Sequence, residues 1–280
     1  MNFQLLPTKL HMPATDTVIS RSPLTEKLDS YSSNKLTIVY APAGYGKTTL
    51  VCDWLHESRK DYLWFSIDDS NDEPHSFWLY LCEGFNRIDG LMVPSATMLI
   101  EQASLTDYSE IVDLIIQDLL KFSRKWDRPN KLVVVLDDFH YIKNKEITKT
   151  MNRFLDYMPQ WVHVVVTSRR IPELSIPHRR SRLQVNMISQ NELAMDRSDI
   201  QRFLDVKLSL KLDDADLDLL LKQTEGWVSA ILLAGLSLKA GGSVSLSTFS
   251  NDEFLSSFLL EEVFNQFDDE FQKDINKYQS

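Results

Sequence analysis

Only two cysteines, Cys52 and Cys82, occur in 280 residues. Both fall in segments that read as helical, and neither has a companion at metal-ligand spacing, so a reduced, cytoplasmic setting is the default. Positive charge is also in deficit: 30 Lys and Arg stand against 40 Asp and Glu, a formal net charge of -10. No general basic field covers such a surface, which makes direct contact with nucleic acid by this chain unexpected. The first ten residues lack the basic region and apolar run of a secretory signal. The longest mostly apolar stretch, residues 227–238, falls short of the ~20 residues a bilayer requires and is interrupted by Ser229, Gly235 and Ser237, so no membrane span is expected. None of the six histidines pairs with another at the i, i+4 spacing of a helical zinc site. Nucleophilic catalysis has no signature either, neither a Gly-x-Ser-x-Gly elbow nor a Cys/His pairing.

What is present is 43% hydrophobic content in a chain long enough for one large or two modest domains. Residues 1–34 read as an arm punctuated by Pro7, Pro13 and Pro23, with a short helix begun by Ser22. Residues 35–188 alternate strand and helix patterns. The runs 36–40, 62–67, 132–136 and 162–167 are the strands, with a last short one at 182–186. Helical spacing appears at 48–58, 77–85 and 108–122. Strands that are apolar on both faces and separated by helices specify an α/β fold with a parallel sheet and right-handed crossovers. Residues 189–240 lose the β-rich runs and read as a smaller all-helical domain, broken at Asp213-Asp214 and at Thr224-Glu225-Gly226. The Gly/Ser-rich stretch after residue 240 reads as a linker, and a helical pattern resumes at 254–267.

The segment Ala41-Pro42-Ala43-Gly44-Tyr45-Gly46-Lys47-Thr48-Thr49 carries the strongest chemical signal. A phosphate cradle needs inward-pointing backbone N–H groups, glycines with unusual φ/ψ, a lysine for the β/γ oxygens and a hydroxyl for Mg²⁺. Gly44, Gly46, Lys47 and Thr48 supply these, between a buried strand and a helix N-terminus where anions are favoured. Alanine occupies position 41, where the general P-loop consensus has glycine. A carboxylate near Thr48 is then expected at the end of a later strand. Asp137, after the apolar run 132–136, is the candidate for the Mg²⁺ shell, directly or through water. Asp138 stands where many P-loop ATPases orient the attacking water, usually with glutamate, and its shorter side chain implies slow hydrolysis. Arg169 lies just beyond another strand's C-terminal end and is the candidate sensor of the γ-phosphate. Arg170 and the run His178-Arg179-Arg180 compete for that part or form a solvated basic loop. His140 is expected in turn geometry, and Trp54, Trp64 and Trp78 in the core.

Taken together, the motifs resemble the N-terminal ATPase part of large bacterial transcriptional regulators of the maltose-regulon-activator (MalT) type, LuxR-family members of the STAND-class signal-transduction ATPases. The resemblance covers nearly the whole chain. It rests on Leu6-Pro7-Thr8-Lys9-Leu10, Val18-Ile19-Ser20-Arg21, the loop 41–50, Ile67-Asp68-Asp69-Ser70-Asn71-Asp72-Glu73-Pro74, Leu136-Asp137-Asp138-Phe139-His140, Thr167-Ser168-Arg169 and Glu225-Gly226-Trp227-Val228-Ser229-Ala230. In that family alanine at position 41 is usual. The resemblance implies a conformational switch: ADP holds a closed resting form, ATP with Mg²⁺ favours self-association, and hydrolysis resets the cycle. It also implies that Val18, Ile19 and Arg21 lie along the adenine, while Ala43, Gly44, Tyr45, Gly46, Lys47, Thr48 and Thr49 hold the phosphates. The helical domain would close over the nucleotide. Such regulators continue through a winged-helix domain, a helical-repeat sensor and a DNA-binding helix-turn-helix. The chain is thus expected to be a piece of a longer protein, with residues 241–280 entering an incomplete winged-helix domain. Two alternatives compete: a P-loop small-molecule kinase, and a domain that binds nucleotide without hydrolysing it. The kinase needs an acceptor pocket with a basic lid, for which residues 169–182 hold the one cluster.

Overall fold

The computed structural model describes residues 5–15, 19, 21–30, 34–102, 107–127 and 130–239. It forms two compact units. Of the described residues, the first comprises those in 5–15, 21–41 and 47–189, and the second residue 19 with those in 42–46 and 190–239.

In the first unit α1 (Ser22–Asp29) starts one residue before Pro23, with Arg21 rather than Ser22 at the N-cap. Then follow β1 (Leu36–Tyr40), α2 (Lys47–Ser58), β2 (Tyr62–Ser66), α3 (Pro74–Ile88), α4 (Pro94–Ile100), α5 (Tyr108–Phe122), β3 (Leu132–Asp137), α6 (Lys145–Tyr157), β4 (Val162–Ser168), α7 (Ile176–Ser181) and β5 (Val185–Ile188). The strands form one sheet in the order β2-β3-β4-β1-β5, every pair parallel. Every residue of β3 and β4 is buried, which is why these strands show no polar alternation in sequence. Helix α3 begins sharply because the Glu73 carboxylate accepts from the N–H groups of His75 and Ser76, with Pro74 opening the helix.

The core packs Phe65, Phe77, Tyr80, Phe85, Phe139 and Phe154 together, at ring separations of 5.0 to 6.3 Å. Trp54, Trp64 and Trp78 are each at most 1% exposed, so they are core residues as expected. Two local expectations shift. The last strand begins at Val185, not Arg182, because Arg182 caps α7 and Leu183 turns the chain with φ 54° before pairing with β1 starts. Helix α4 has no counterpart in the sequence reading.

The second unit holds α8 (Gln190–Leu193), α9 (Arg197–Leu208), α10 (Asp214–Thr224) and α11 (Val228–Lys239). Asp196 caps α9 through Asp199 N–H, and Asp213 caps α10 through Asp216 N–H. The break at 224–226 is a left-handed turn, with φ 50° at Glu225 and 77° at Gly226. A Cβ on Gly226 would stand 2.5 Å from the Met195 carbonyl oxygen, so glycine is required for space as well as for φ. Ile200, Leu204, Leu220 and Ile231 make a small apolar core, completely buried. The expected linker after residue 240 and the helical pattern at 254–267 lie outside the described residues.

Candidate functional site

In the first unit the parallel order puts β4 between β1 and β3, so the C-terminal ends of these three strands share one sheet edge. Ala41 N–H donates to the Ser168 carbonyl at 3.2 Å, prolonging the β1–β4 pairing by one residue, and Ala41 is 1% exposed. Positive φ in residues 41–48 is confined to Gly44 (75°) and Gly46 (76°). Those two positions therefore need glycine, and position 41 accommodates alanine. Helix α2 opens on the buried Lys47, followed by Thr48 and Thr49.

The end of β3 meets the start of α2. The Thr48 hydroxyl donates to Asp137 Oδ1 at 2.9 Å, and the Thr167 hydroxyl donates to the same oxygen at 2.6 Å. Thr167 Oγ1 in turn accepts from the Asp138 N–H at 2.9 Å. Burial, and next the neighbouring charge of Asp138, push the Asp137 carboxyl up to about 6 against the opposing pull of Thr167, Thr48 and Lys47. Asp137 is thus no solvated strand-end carboxylate. Asp138 differs: the chain turns left-handed there, with φ 58° and ψ 40°, which leaves its side chain 43% exposed.

The donor set fits Mg²⁺. Two oxygens in neighbouring positions of an octahedron with bonds of ~2.1 Å are about 3 Å apart, and Thr48 Oγ1 and Asp137 Oδ1 are 2.9 Å apart. Among the described residues no three His, Cys, Asp or Glu side chains cluster for a metal. A cation held here would draw its remaining ligands from water and from the ligand's own oxygens, as Mg²⁺ commonly does.

Beyond β4, Arg169 is partly buried. Together with Lys47, Arg170 and Lys143 it acts on His140. Burial first, and then these positive charges, hold the His140 imidazole down to about 3, so it is neutral at ordinary pH. It lies 3.6 Å from Asp138 Oδ1, in the short 3-10 turn that follows β3. A cavity of about 220 Å³ lies beside it, lined by His140, Lys143, Lys145, Ser168 and Arg170 among others. The basic run at 178–180 divides. Arg179 is 1% exposed and bolts the first unit together, donating to the carbonyls of Leu174 (3.0 Å) and Asn152 (3.1 Å) and pairing with Asp156 at 2.9 Å. It is a structural residue and not part of a solvated basic loop.

Of the expected adenine-side residues, Val18 lies outside the described residues. Ile19 packs against the apolar core of the second unit. Arg21 heads α1, its carbonyl accepting from the N–H groups of Leu24 and Thr25.

Residues 42–46 have their own set of contacts within the second unit. The Trp227 indole Nε1–H donates to the Ala43 carbonyl at 2.9 Å. Ser229 donates to the Gly44 carbonyl twice, from its backbone N–H at 3.1 Å and its hydroxyl at 3.3 Å. The Tyr45 ring stacks on Trp227 at 6.4 Å, and its hydroxyl accepts from Gln190 Nε2 at 2.9 Å.

Three features escaped the sequence reading of roles. Thr167 was visible only as one hydroxyl closing a run of valines. Trp227 and Ser229 belong to the 225–230 segment, whose residue types do not display a partner. Lys9, in an arm without periodicity, is buried, and its ammonium donates to Asp68 Oδ1 (2.6 Å), Asn71 Oδ1 (2.7 Å) and Ser70 Oγ (2.9 Å).

No protein-family model matches the sequence. The HTH-type transcriptional regulator MalT of Yersinia enterocolitica is 32% identical over 271 residues, which is 94% of this chain and 29% of that protein. MalT of Yersinia pestis is 31% identical over 270 residues, with the same shares. Among solved structures, the Walker-type ATPase PABY2304 of Pyrococcus abyssi superposes with a TM-score of 0.56 at 13% identity, covering 88% of this chain and 76% of its own. That likeness shows the fold alone, a parallel sheet flanked by helices with a strand-loop-helix at 36–58. No helix among the described residues is long and apolar enough to cross a membrane. By sequence the chain is a homologue of the MalT transcriptional regulators, spanning 29% of their length.

Proposed function

We propose that this chain is an ATP- and ADP-binding module that acts as the conformational switch of a bacterial transcriptional regulator. The observation that carries this reading is the pairing of Thr48 with Asp137 at 2.9 Å, beside the buried Lys47 and directly after a loop with left-handed Gly44 and Gly46. In this reading backbone N–H groups of residues 43–49 and the Lys47 ammonium receive the phosphate oxygens. Thr48 and Asp137 hold Mg²⁺, which supplies charge neutralisation for the phosphates. Asp138, exposed enough to reach solvent, orients the attacking water, and Arg169 responds to the γ-phosphate. The carboxylate of Asp138 is one methylene shorter than glutamate, so turnover is slow. Val18, Ile19 and Arg21 serve the adenine. Self-association in the ATP state, and the inducer and DNA recognition carried elsewhere in a longer protein, complete the switch.

Lys47→Ala tests the reading. Mg·ATP affinity is expected to disappear while the far-ultraviolet circular dichroism stays unchanged, and undiminished affinity would remove this loop as the phosphate site. Asp137→Asn should weaken the Mg²⁺-dependent part of binding, whereas Asp138→Asn should leave binding intact and slow turnover. A second reading, a small-molecule kinase, has in its favour the cavity of about 220 Å³ lined by Lys143, Lys145 and Arg170. Its size is below the ~300–1,000 Å³ of drug-sized sites, and the burial of Arg179 takes one cation from the expected lid. Product analysis separates the two: ADP with inorganic phosphate favours the switch, ADP with a phosphorylated acceptor the kinase.

A further inference from the structure

A phosphate-binding loop works when consecutive backbone N–H groups converge on one side, yet no strand ladder or helix holds a loop in that arrangement. In residues 42–46 the carbonyl groups are held instead. Ala43 O accepts from the Trp227 indole at 2.9 Å, and Gly44 O accepts from Ser229 N–H at 3.1 Å and Ser229 Oγ at 3.3 Å. A trans peptide group is planar, so the carbonyl of one residue and the N–H of the next point in opposite directions. Every peptide bond among the described residues is trans. Fixing the Ala43 carbonyl toward Trp227 therefore turns the Gly44 N–H to the opposite side. Fixing the Gly44 carbonyl toward Ser229 does the same for the Tyr45 N–H. Two successive donors are thus aimed away from the Trp227–Ser229 turn.

We propose that Trp227 and Ser229 are positioning residues of the phosphate loop: by holding the two carbonyls from behind, they preset the Gly44 and Tyr45 N–H groups to receive a diphosphate. The proposal rests on the reading of this loop as the phosphate site. The close approach explains why position 44 is glycine on a second count besides its φ of 75°. A Cβ there would lie 2.3 Å from Ser229 Oγ and 2.7 Å from Trp227 Nε1. The Tyr45 ring stacked on Trp227, with its hydroxyl tethered by Gln190, restrains the next residue of the same loop. Preorganised donors bind an anion without a further ordering cost at the moment of binding, which is how a residue with no ligand contact raises affinity.

The test uses the full chain, with Mg·ADP measured by calorimetry, Mg·pyrophosphate by competition against it, and the thermal midpoint without ligand. Trp227→Phe keeps a ring against Tyr45 and deletes only the N–H donor. It is expected to weaken both ligands by about 3- to 10-fold, the worth of one neutral hydrogen bond, with little change in midpoint. Ser229→Ala keeps the backbone donor to Gly44 and should lose roughly 2-fold, and the double variant more than either. Affinities equal to wild type in all three variants would overturn the proposal, as would a lowered midpoint with unchanged affinities, the mark of packing alone. Weakened ADP binding with unchanged pyrophosphate would also overturn it, because the effect would then lie on the nucleoside side. Lys47→Ala separates this failure from failure of the underlying reading. If Lys47→Ala abolishes binding and Trp227→Phe does not weaken it, only the positioning role falls. If wild-type binding is absent, or survives Lys47→Ala, the phosphate site falls and the positioning role with it.

Discussion

Asp137 shows how far one residue's role can be taken from sequence. A carboxylate placed directly after a purely apolar strand is legible, and so is its partnership with a hydroxyl at the head of a helix. Its burial is not legible, nor is the meeting of Thr48 from α2 and Thr167 from β4 at its carboxylate, because both depend on segments distant in sequence. With its carboxyl raised to about 6 against an ordinary 3.8, the folded protein favours the protonated form. The destabilisation is therefore fully present above pH 6 and relieved as pH falls through 6 toward 3.8. Asparagine can still accept both threonine hydroxyls. Asp137→Asn should accordingly raise the stability of the ligand-free protein by about 2–3 kcal/mol at pH 8, and by much less at pH 4.5, while weakening Mg²⁺-dependent ATP binding. Urea unfolding at the two pH values checks this. Equal stability of variant and wild type at pH 8 would mean the buried charge carries no such penalty.

Elements whose signals are local were readable, and elements stabilised from a distance were not. Helix α5 is capped by its own Asp107, whose carboxylate accepts from Ser109 N–H, and it carries an apolar stripe of Ile111, Val112, Ile115 and Leu119, so its limits follow from residues within it. Helix α4 is different. Its N-terminus has no cap of its own, and Val93 precedes Pro94 there. The missing acceptor comes from α5: the buried Asp118 accepts from Ser95 N–H at 2.7 Å, Ser95 Oγ at 2.9 Å and Ala96 N–H at 3.3 Å. Removing it leaves the buried Ala96 N–H and the half-buried Ser95 donors without that acceptor. Asp118→Ala should lower stability by about 1–3 kcal/mol, read as a drop in the urea midpoint at constant slope. A change below ~0.5 kcal/mol would show that α4 stands without this cap. The same principle governs the 68–73 segment. Lys9 from the arm donates to its Asp68, Ser70 and Asn71 side chains, and its Asp72 accepts from the N–H groups of Lys143 and Asn144 in the β3–α6 connection.

At the scale of the whole molecule, the sheet carries a titratable group through its middle. His163 on β4 is fully buried, with Nε2 within 3.1 Å of Thr37 Oγ1 and Nδ1 within 3.4 Å of the Asn34 carbonyl. Burial, with help from the charge of Lys131, holds it down to about 3. The unfolded chain takes up a proton below about pH 6.5 that the folded sheet refuses until about 3. Stability is therefore intact above 6.5 and is lost as pH falls through that window. His140 acts in the same direction, and Asp137 in the opposite direction below pH 6. His163→Gln, which retains polar atoms for Thr37 and Asn34, should flatten the acid limb by roughly 1 kcal/mol per pH unit between pH 6 and 4.5. An acid limb as steep as that of wild type would rule out His163 as its source. The sequence alone determined the fold class, the first four strands within a residue and the last only to within three, the glycine loop at 41–48 as a candidate phosphate site, and the Asp137 candidate. Each of these depends on residue type and short-range spacing, which a linear chain displays. Tertiary structure alone decided that β4 inserts between β1 and β3, that Thr167 bridges the two aspartates, that Arg179 is a buried bolt, and that Trp227 and Ser229 hold residues 43 and 44. These depend on which distant segments meet, and hydrophobic periodicity says that a face will be buried without saying against what.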